Sequence, residues 1–305
     1  MQVLKHFISL FLIFMVAISF SQTKPRLEKI PIRNTEEVPP LISLESSDLN
    51  TLLFNEISKE THWKAMINAN AMTIGIVDLY DLNDIKYAGI NDNFMMYSAS
   101  LPKIAILLAA MDAIENGELE ETPAVTKDMK LMISKSNNQA STRMIDRLGY
   151  LKIESVLRRK QHKFYDETTG GGLWVGKRYA AGGKRHPEPM KGLSHAATTM
   201  QVCSFYYQLV MGNLISYERS AQMLDIMVKP ALHHKFVNTL EKIAPKANLY
   251  RKSGSWKNFH ADSILVWGPK RRYIAVALID DIYGEQIIRN LVKPIEKVLK
   301  AAREL

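Results

Sequence analysis

Strand-like runs lie near both ends of this chain, and helical patterns fill its middle. Residues 71–78 and 85–90 are rich in β-branched and aromatic side chains and flank a polar turn at 81–84. Residues 249–256, 263–267 and 273–279 repeat that character near the other end, the last two joined by Gly268-Pro269. Between them, 100–115, 127–148, 151–159, 198–211 and 216–227 carry apolar residues at helical spacing. A chain ordered this way buries its strands by pairing its two ends in one antiparallel sheet. Helices at 47–57 and 284–305 flank that sheet, and a helical lobe is inserted over about 100–230. The expected class is α/β of the α+β kind, with no internal repeat.

The first 21 residues read as a secretory signal peptide. Lys5 gives a short positive region, the run FISLFLIFMVAISF spans 7–20, and Ser19 and Ser21 are small residues suited to a cut before Gln22. The run is shorter than the roughly 20 residues of a comfortable membrane span. The expectation is a secreted or periplasmic protein without stable membrane insertion after cleavage. Residues 22–43, with Pro25, Pro31 and Pro39-Pro40, read as an extended leader outside the core. Residues 44–305 are then one two-lobed domain.

Composition excludes more than it proves. One cysteine, Cys203, permits neither an intrachain disulfide nor a cysteine-rich zinc site. The formal charge of +9 raises nucleic acid as a partner, but there is no zinc-finger spacing, aromatic RNA-binding box or long basic run. Lys270-Arg271-Arg272 reads as a hairpin tip. His233-His234 is the only adjacent histidine pair and has no matching ligand spacing, so no metal and no cofactor are expected. A solvated basic surface and a monomer are the plain expectations.

Three short elements carry chemistry. Ser100-Leu101-Pro102-Lys103 opens the most apolar helix; Pro102 is tolerated only in a first turn, which puts Ser100 at the helix N-terminus. Serine and lysine three apart share a face, and a lysine desolvated under the helix loses its charge and can take the serine proton. A capping serine beside a snorkelling lysine would look the same. Ser136-Asn137-Asn138 begins another helical segment: Ser136 is placed to relay a proton and Asn138 to hold a substrate amide. Lys252-Ser253-Gly254 lies on a strand-like run. Lys252 and Ser253 suit a substrate carboxylate, Gly254 permits close backbone approach, and Ser255 offers a backbone N–H to an oxyanion.

In that order the three elements resemble the penicillin-recognising serine hydrolases, most closely the class A β-lactamase group, over most of residues 45–303. The resemblance implies a β-lactamase/transpeptidase-like fold. It implies Ser100 as acylated nucleophile, Lys103 as its activator, Ser136 as proton relay and Lys252 as electrostatic clamp. Asn138, Ser253, Gly254 and Ser255 would meet the substrate, a β-lactam or a peptidoglycan-peptide-like amide. Asn137 stands where that group usually has Asp, and the 36 residues from Ser100 to Ser136 are fewer than usual. No Glu-x-x-Leu-Asn motif supplies the base that activates the deacylating water. Glu167 and Glu188, in the irregular stretch 163–195, are candidates for it, as is neither. The leading expectation is a β-lactamase-type hydrolase. The alternatives are a D,D-peptidase or penicillin-binding protein, and a non-hydrolysing cell-wall-binding sensor. Trp174 either lines the cleft or anchors the loop; Trp256 is the better cleft residue.

Overall fold

The computed structural model describes residues 30–33 and 38–304, so the expected signal peptide lies outside the described residues. The chain runs α1 (Ser47–Ile57), α2 (Thr61–Asn68), β1 (Met72–Asp78), β2 (Lys86–Ile90), β3 (Met96–Tyr97), α3 (Lys103–Glu115), α4 (Pro123–Ser134), α5 (Asn138–Leu148) and α6 (Tyr150–Leu157). It continues through β4 (Tyr165–Asp166), β5 (Gly171–Gly172), β6 (Trp174–Val175), β7 (His195–Ala197), α7 (Thr199–Val210), α8 (Tyr217–Met227) and α9 (Phe236–Ile243). It closes with β8 (Asn248–Trp256), β9 (Phe259–Gly268), β10 (Arg271–Asp280) and α10 (Gly284–Ala302).

The two ends do pair. The main sheet has the order β2-β1-β10-β9-β8, each neighbouring pair antiparallel, and β1 from the front of the chain lies against β10 from the back with Gly75 opposite Val276. Side chains of a strand alternate between faces. On β10, Ile274, Val276 and Leu278 pack with α3 and α7, while Ala275, Ala277 and Ile279 pack with α1, α9 and α10. Both faces are therefore covered, which is why these strands read as unbroken apolar runs. α10 presents Ile288, Leu291, Ile295 and Leu299 to the second face and runs through Pro294 without ending.

α3 is the axis of the helical lobe. It is apolar on all sides and buried from Lys103 to Ala113, so it lacks the exposed polar face of a surface helix. Asp112, buried on it, is held by Arg159 and Lys152. The helical stretch expected over 127–148 is two helices. α4 starts on the capping hydroxyl of Thr122 with Pro123 behind it, and α5 starts on Asn137, whose side-chain oxygen accepts from Ala140 N at 2.8 Å. Between them Ser136 takes a positive φ of 53°.

Two parts of the chain are more ordered than their composition suggests. The proline-bearing leader contributes Ile30 and Leu41 to the core, and Arg33 N donates to Val210 O at the end of α7. The boundary expected at 43/44 is thus not an edge of packing: isolated apolar residues between prolines have no period to read, yet they cover α7. The stretch 163–195 is pinned by two small sheets, β4-β5 and β3-β7-β6. Trp174 anchors it, fully buried, with its indole N–H donating to His186 O at 2.8 Å. Lys270 lies in the two-residue turn of the β9–β10 hairpin, as expected, and Arg271 and Arg272 open β10 beside it; Arg271 pairs with Glu296 and Arg272 lies over the Trp267 ring. Among the described residues no helix is long and apolar enough to cross a membrane.

Under the sheet, Asp262 accepts from Arg251 Nε at 2.7 Å, Arg251 Nη2 at 3.0 Å and Phe236 N at 3.1 Å, all buried. Removing one partner strands the other charge without water. Asp262→Ala is expected to lower stability by about 3–5 kcal/mol, read from urea unfolding.

Candidate active site

Ser100 sits in the tight turn that enters α3. Leu101 N donates to Ser98 O at 3.0 Å and Lys103 N to Ser100 O at 3.4 Å, and Ala99 is forced to a φ of 51°. A non-glycine residue in that region is strained, and such strain gathers at functional turns. The regular helix begins at Lys103, three residues later than Ser100, with Pro102 at its N-cap.

Lys103 is completely buried, and its ammonium has three oxygens within reach: Ser136 O at 2.6 Å, Asn138 Oδ1 at 2.8 Å and Ser136 Oγ at 3.3 Å. Burial brings its pKa down to about 7. The left-handed turn at Ser136 delivers both the carbonyl and the hydroxyl of that residue to one cation. On the far side, Lys252 Nζ donates to Ser136 Oγ at 3.0 Å and to Ser253 O at 2.6 Å. Burial, and then the nearby charge of Lys103, push the Lys252 pKa well below its usual value. One hydroxyl therefore bridges two desolvated lysines.

β8 is one of the two edge strands, and Gly254 is where it meets the Ser100 turn. A Cβ built on Gly254 would stand 2.2 Å from Ser98 O, 2.5 Å from Ser100 N and 2.8 Å from Leu101 N. Only glycine lets the strand backbone come this close. This brings the backbone N–H of Ser100 beside the residue that precedes Ser255.

A cavity of about 780 Å³ opens here, lined by Ser100, Asn138 and Ser255 among the expected residues. Lys103, Ser136 and Lys252 back it from beneath. Ser253 is buried at 4% exposure and does not line it. Trp256, at 57% exposure, does.

Sequence reasoning missed several walls: Tyr97, Lys177, Tyr179, His195 and Lys257. Tyr179 lies over Lys103, with the ammonium 4.3 Å from its ring centre, and its hydroxyl donates to Ala99 O at 3.2 Å. The His195 ring packs 4.3 Å from it and is held neutral, its pKa lowered to about 4 by burial. The only signal left by Lys177, Tyr179 and His195 was the glycine-rich stretch that carries them; Tyr97 and Lys257 left none.

The two candidate bases are engaged elsewhere. Glu188 accepts from Met190 N at 2.7 Å, from Lys191 N at 2.6 Å and from the Tyr165 hydroxyl. Glu167 is paired with Arg158, which holds its carboxyl below the usual value. Neither lines the cavity, and no other carboxylate does among the described residues. Among those residues no cluster of three His, Cys, Asp or Glu side chains is set to hold a metal ion. His233 and His234 precede α9 rather than lying on a helix; His233 pairs with Glu241 and His234 lies 3.4 Å from Arg251. Cys203 is buried.

The family model described as the β-lactamase enzyme family matches residues 59–130 and 124–299. The chain belongs to that family. Solved structures agree in fold. "Structure of PBP-A" superposes with a TM-score of 0.63 at 18% identity over 88% of this chain and 100% of that one. A β-lactamase from Sphaerobacter thermophilus DSM 20745 gives 0.64 at 16% identity over 82% and 97%. An ancestral class A β-lactamase, that of the last common ancestor of Gram-negative bacteria, gives 0.61 at 12% identity over 77% and 98%. No curated protein matches the sequence. The fold is thus that of the β-lactamases and PBP-A, and at the level of the family the chain is a β-lactamase-like serine hydrolase.

In this family member the strand–turn contact at Gly254 admits no extra methyl group. Gly254→Ala is expected to cost about 1–3 kcal/mol through overpacking, seen as a lowered thermal midpoint.

Proposed function

We propose that this protein forms an acyl-enzyme at Ser100 with β-lactams and with D-alanyl-peptide-like amides, and that it releases the acyl group slowly. The observation that carries the first half is the bridge Lys103–Ser136–Lys252 beneath Ser100. With a pKa of about 7, Lys103 is largely neutral just above neutrality and accepts the Ser100 proton as Oγ bonds to the carbonyl carbon. The backbone N–H groups of Ser100 and Ser255 receive the oxyanion. The proton passes through Ser136 to the leaving nitrogen as the C–N bond breaks, while Lys252 holds Ser136 and a substrate carboxylate. Asn138 keeps its oxygen on Lys103 and offers its NH₂ to the substrate.

The slow second half rests on the engagement of Glu188 and Glu167 and on Tyr179. A ring lies over Lys103, Glu188 is occupied by its own loop, and Glu167 is paired with Arg158. This favours the peptidase or penicillin-binding reading over a rapid β-lactamase. A single-substitution mutant of PBP-A has been solved as an acyl-enzyme with penicillin G, and it matches this chain at a TM-score of 0.63 and 18% identity. Rapid class A hydrolysis is the second reading, and its support is the likeness of fold to class A enzymes. Export through residues 1–21 and action as a monomer on the cell wall belong to the same proposal.

Intact mass after penicillin treatment tests it. The expected result is a single adduct that persists, and none on Ser100→Ala, with acylation reduced by about three orders of magnitude or more. Rapid loss of the adduct, or consumption of penicillin with no adduct accumulating, would establish the second reading; no adduct and no consumption of penicillin by the unaltered protein would overturn both. The acylation rate should rise with pH and reach half its plateau near pH 7, because only neutral Lys103 accepts the proton. Stopped-flow acylation from pH 5.5 to 8 measures this limb.

A further inference from the structure

One fully buried cation next to the cavity has no part in the chemistry above. Lys235 immediately precedes α9, in a backbone conformation of φ 56° and ψ −129° that non-glycine residues rarely adopt. It is fixed from both sides. Phe236 N donates to Asp262 Oδ2 at 3.1 Å, and Arg251 Nη1 donates to Leu232 O at 2.9 Å.

Its ammonium has three donors, and three acceptors meet them: Gly254 O at 2.5 Å, Ser255 Oγ at 2.8 Å and Ala261 O at 3.0 Å. Two of these belong to the strand end that lines the cavity. Gly254 O and Ser255 N are the two ends of one peptide unit. In a trans peptide they point in opposite directions, so a cation on the carbonyl leaves the N–H directed away from it. A charge on the carbonyl oxygen also polarises the shared peptide and makes its N–H a stronger donor.

We propose that Lys235 is a positioning residue that orients and polarises the 254–255 peptide, so that the Ser255 N–H binds the oxyanion more strongly. The proposal rests on the acyl-enzyme reading above. It assigns Lys235 no contact with substrate. Lys235 also cross-links β8 to β9 through Ala261 O, which holds the peptide still while charge develops on the substrate.

The charges around Lys235 come from four elements. Arg251 and Lys252 lie on β8, Asp262 and His260 on β9, Glu285 on α10, and His234 beside it in the chain. Arg251 and Asp262 neutralise each other. Burial lowers the Lys235 pKa to about 8, against the opposing pull of Asp262. Its charge is therefore complete at pH 6.5 and mostly lost by pH 9.5.

The test reads the ester carbonyl of the acyl-enzyme by infrared difference spectroscopy, using penicillin G labelled with ¹³C at the β-lactam carbonyl. A weaker oxyanion donor moves that band to higher wavenumber. Lys235→Met is expected to raise it and to slow acylation roughly 10- to 100-fold, with the dissociation constant for penicillin changed less than threefold. Lys235→Arg keeps a cation and is expected to restore the band and most of the rate. A folded Lys235→Met protein with an unshifted band overturns the proposal. So does a rate loss with an unshifted band in both variants, which marks a merely structural lysine.

Loss of Lys235 removes three buried hydrogen bonds, so the unaltered protein supplies a control that does not depend on that variant folding. Its band should climb between pH 6.5 and 9.5 with a midpoint near 8 and stay level in Lys235→Arg. A level band in the unaltered protein overturns the proposal while leaving the acyl-enzyme reading intact. Absence of any adduct overturns that reading and this one together.

Discussion

The contact on which the site depends is the approach of an edge strand to a strained turn. Gly254 of β8 lies against the backbone of Ser98, Ser100 and Leu101 with no room for a methyl group. One partner comes from the closing strands of the sheet, the other from the entrance to the helical lobe. Their distance sets where the Ser100 and Ser255 amides stand relative to each other. The paired chain ends hold β8 in place, and the buried α3 holds the turn.

Around that contact the protein buries three lysines, Lys103, Lys235 and Lys252. Burying an ammonium is expensive unless its donors are met or its charge is given up. Lys103 and Lys252 share the Ser136 hydroxyl and otherwise rest on neutral oxygens, and both respond by falling in pKa. Lys235 has all three donors met by oxygens of β8 and β9. By contrast, the buried Arg251 is matched by a carboxylate, Asp262, and serves as framework.

The loop over the site shows how far local reading reaches. Its glycines and prolines mark it as irregular, and its carboxylates make Glu167 and Glu188 natural candidates for a base. What each carboxylate does depends on its neighbours. Glu188 is consumed by the amides of its own turn and by Tyr165, 23 residues earlier in the chain. Tyr179, unremarkable in sequence, reaches Lys103 because β6 and β7 fold the loop back over α3. Leu41 is similar: one apolar residue among prolines has no period, and only the surface it covers makes it core.

The sequence by itself determined the sheet formed by the two chain ends, the inserted helices and the ordered trio Ser100-x-x-Lys103, Ser136-Asn137-Asn138 and Lys252-Ser253-Gly254. Those properties are carried by spacing along the chain: alternation, helical period and the special backbone needs of proline and glycine. Only the tertiary structure decided that Ser136 bridges two lysines, that Ser253 is buried while Ser255 lines the cavity, that the loop carboxylates are occupied, and that Lys235 lies behind the Ser255 peptide. These are meetings between residues tens of positions apart. They arise from how edges, turns and loops pack, and no local pattern encodes that packing.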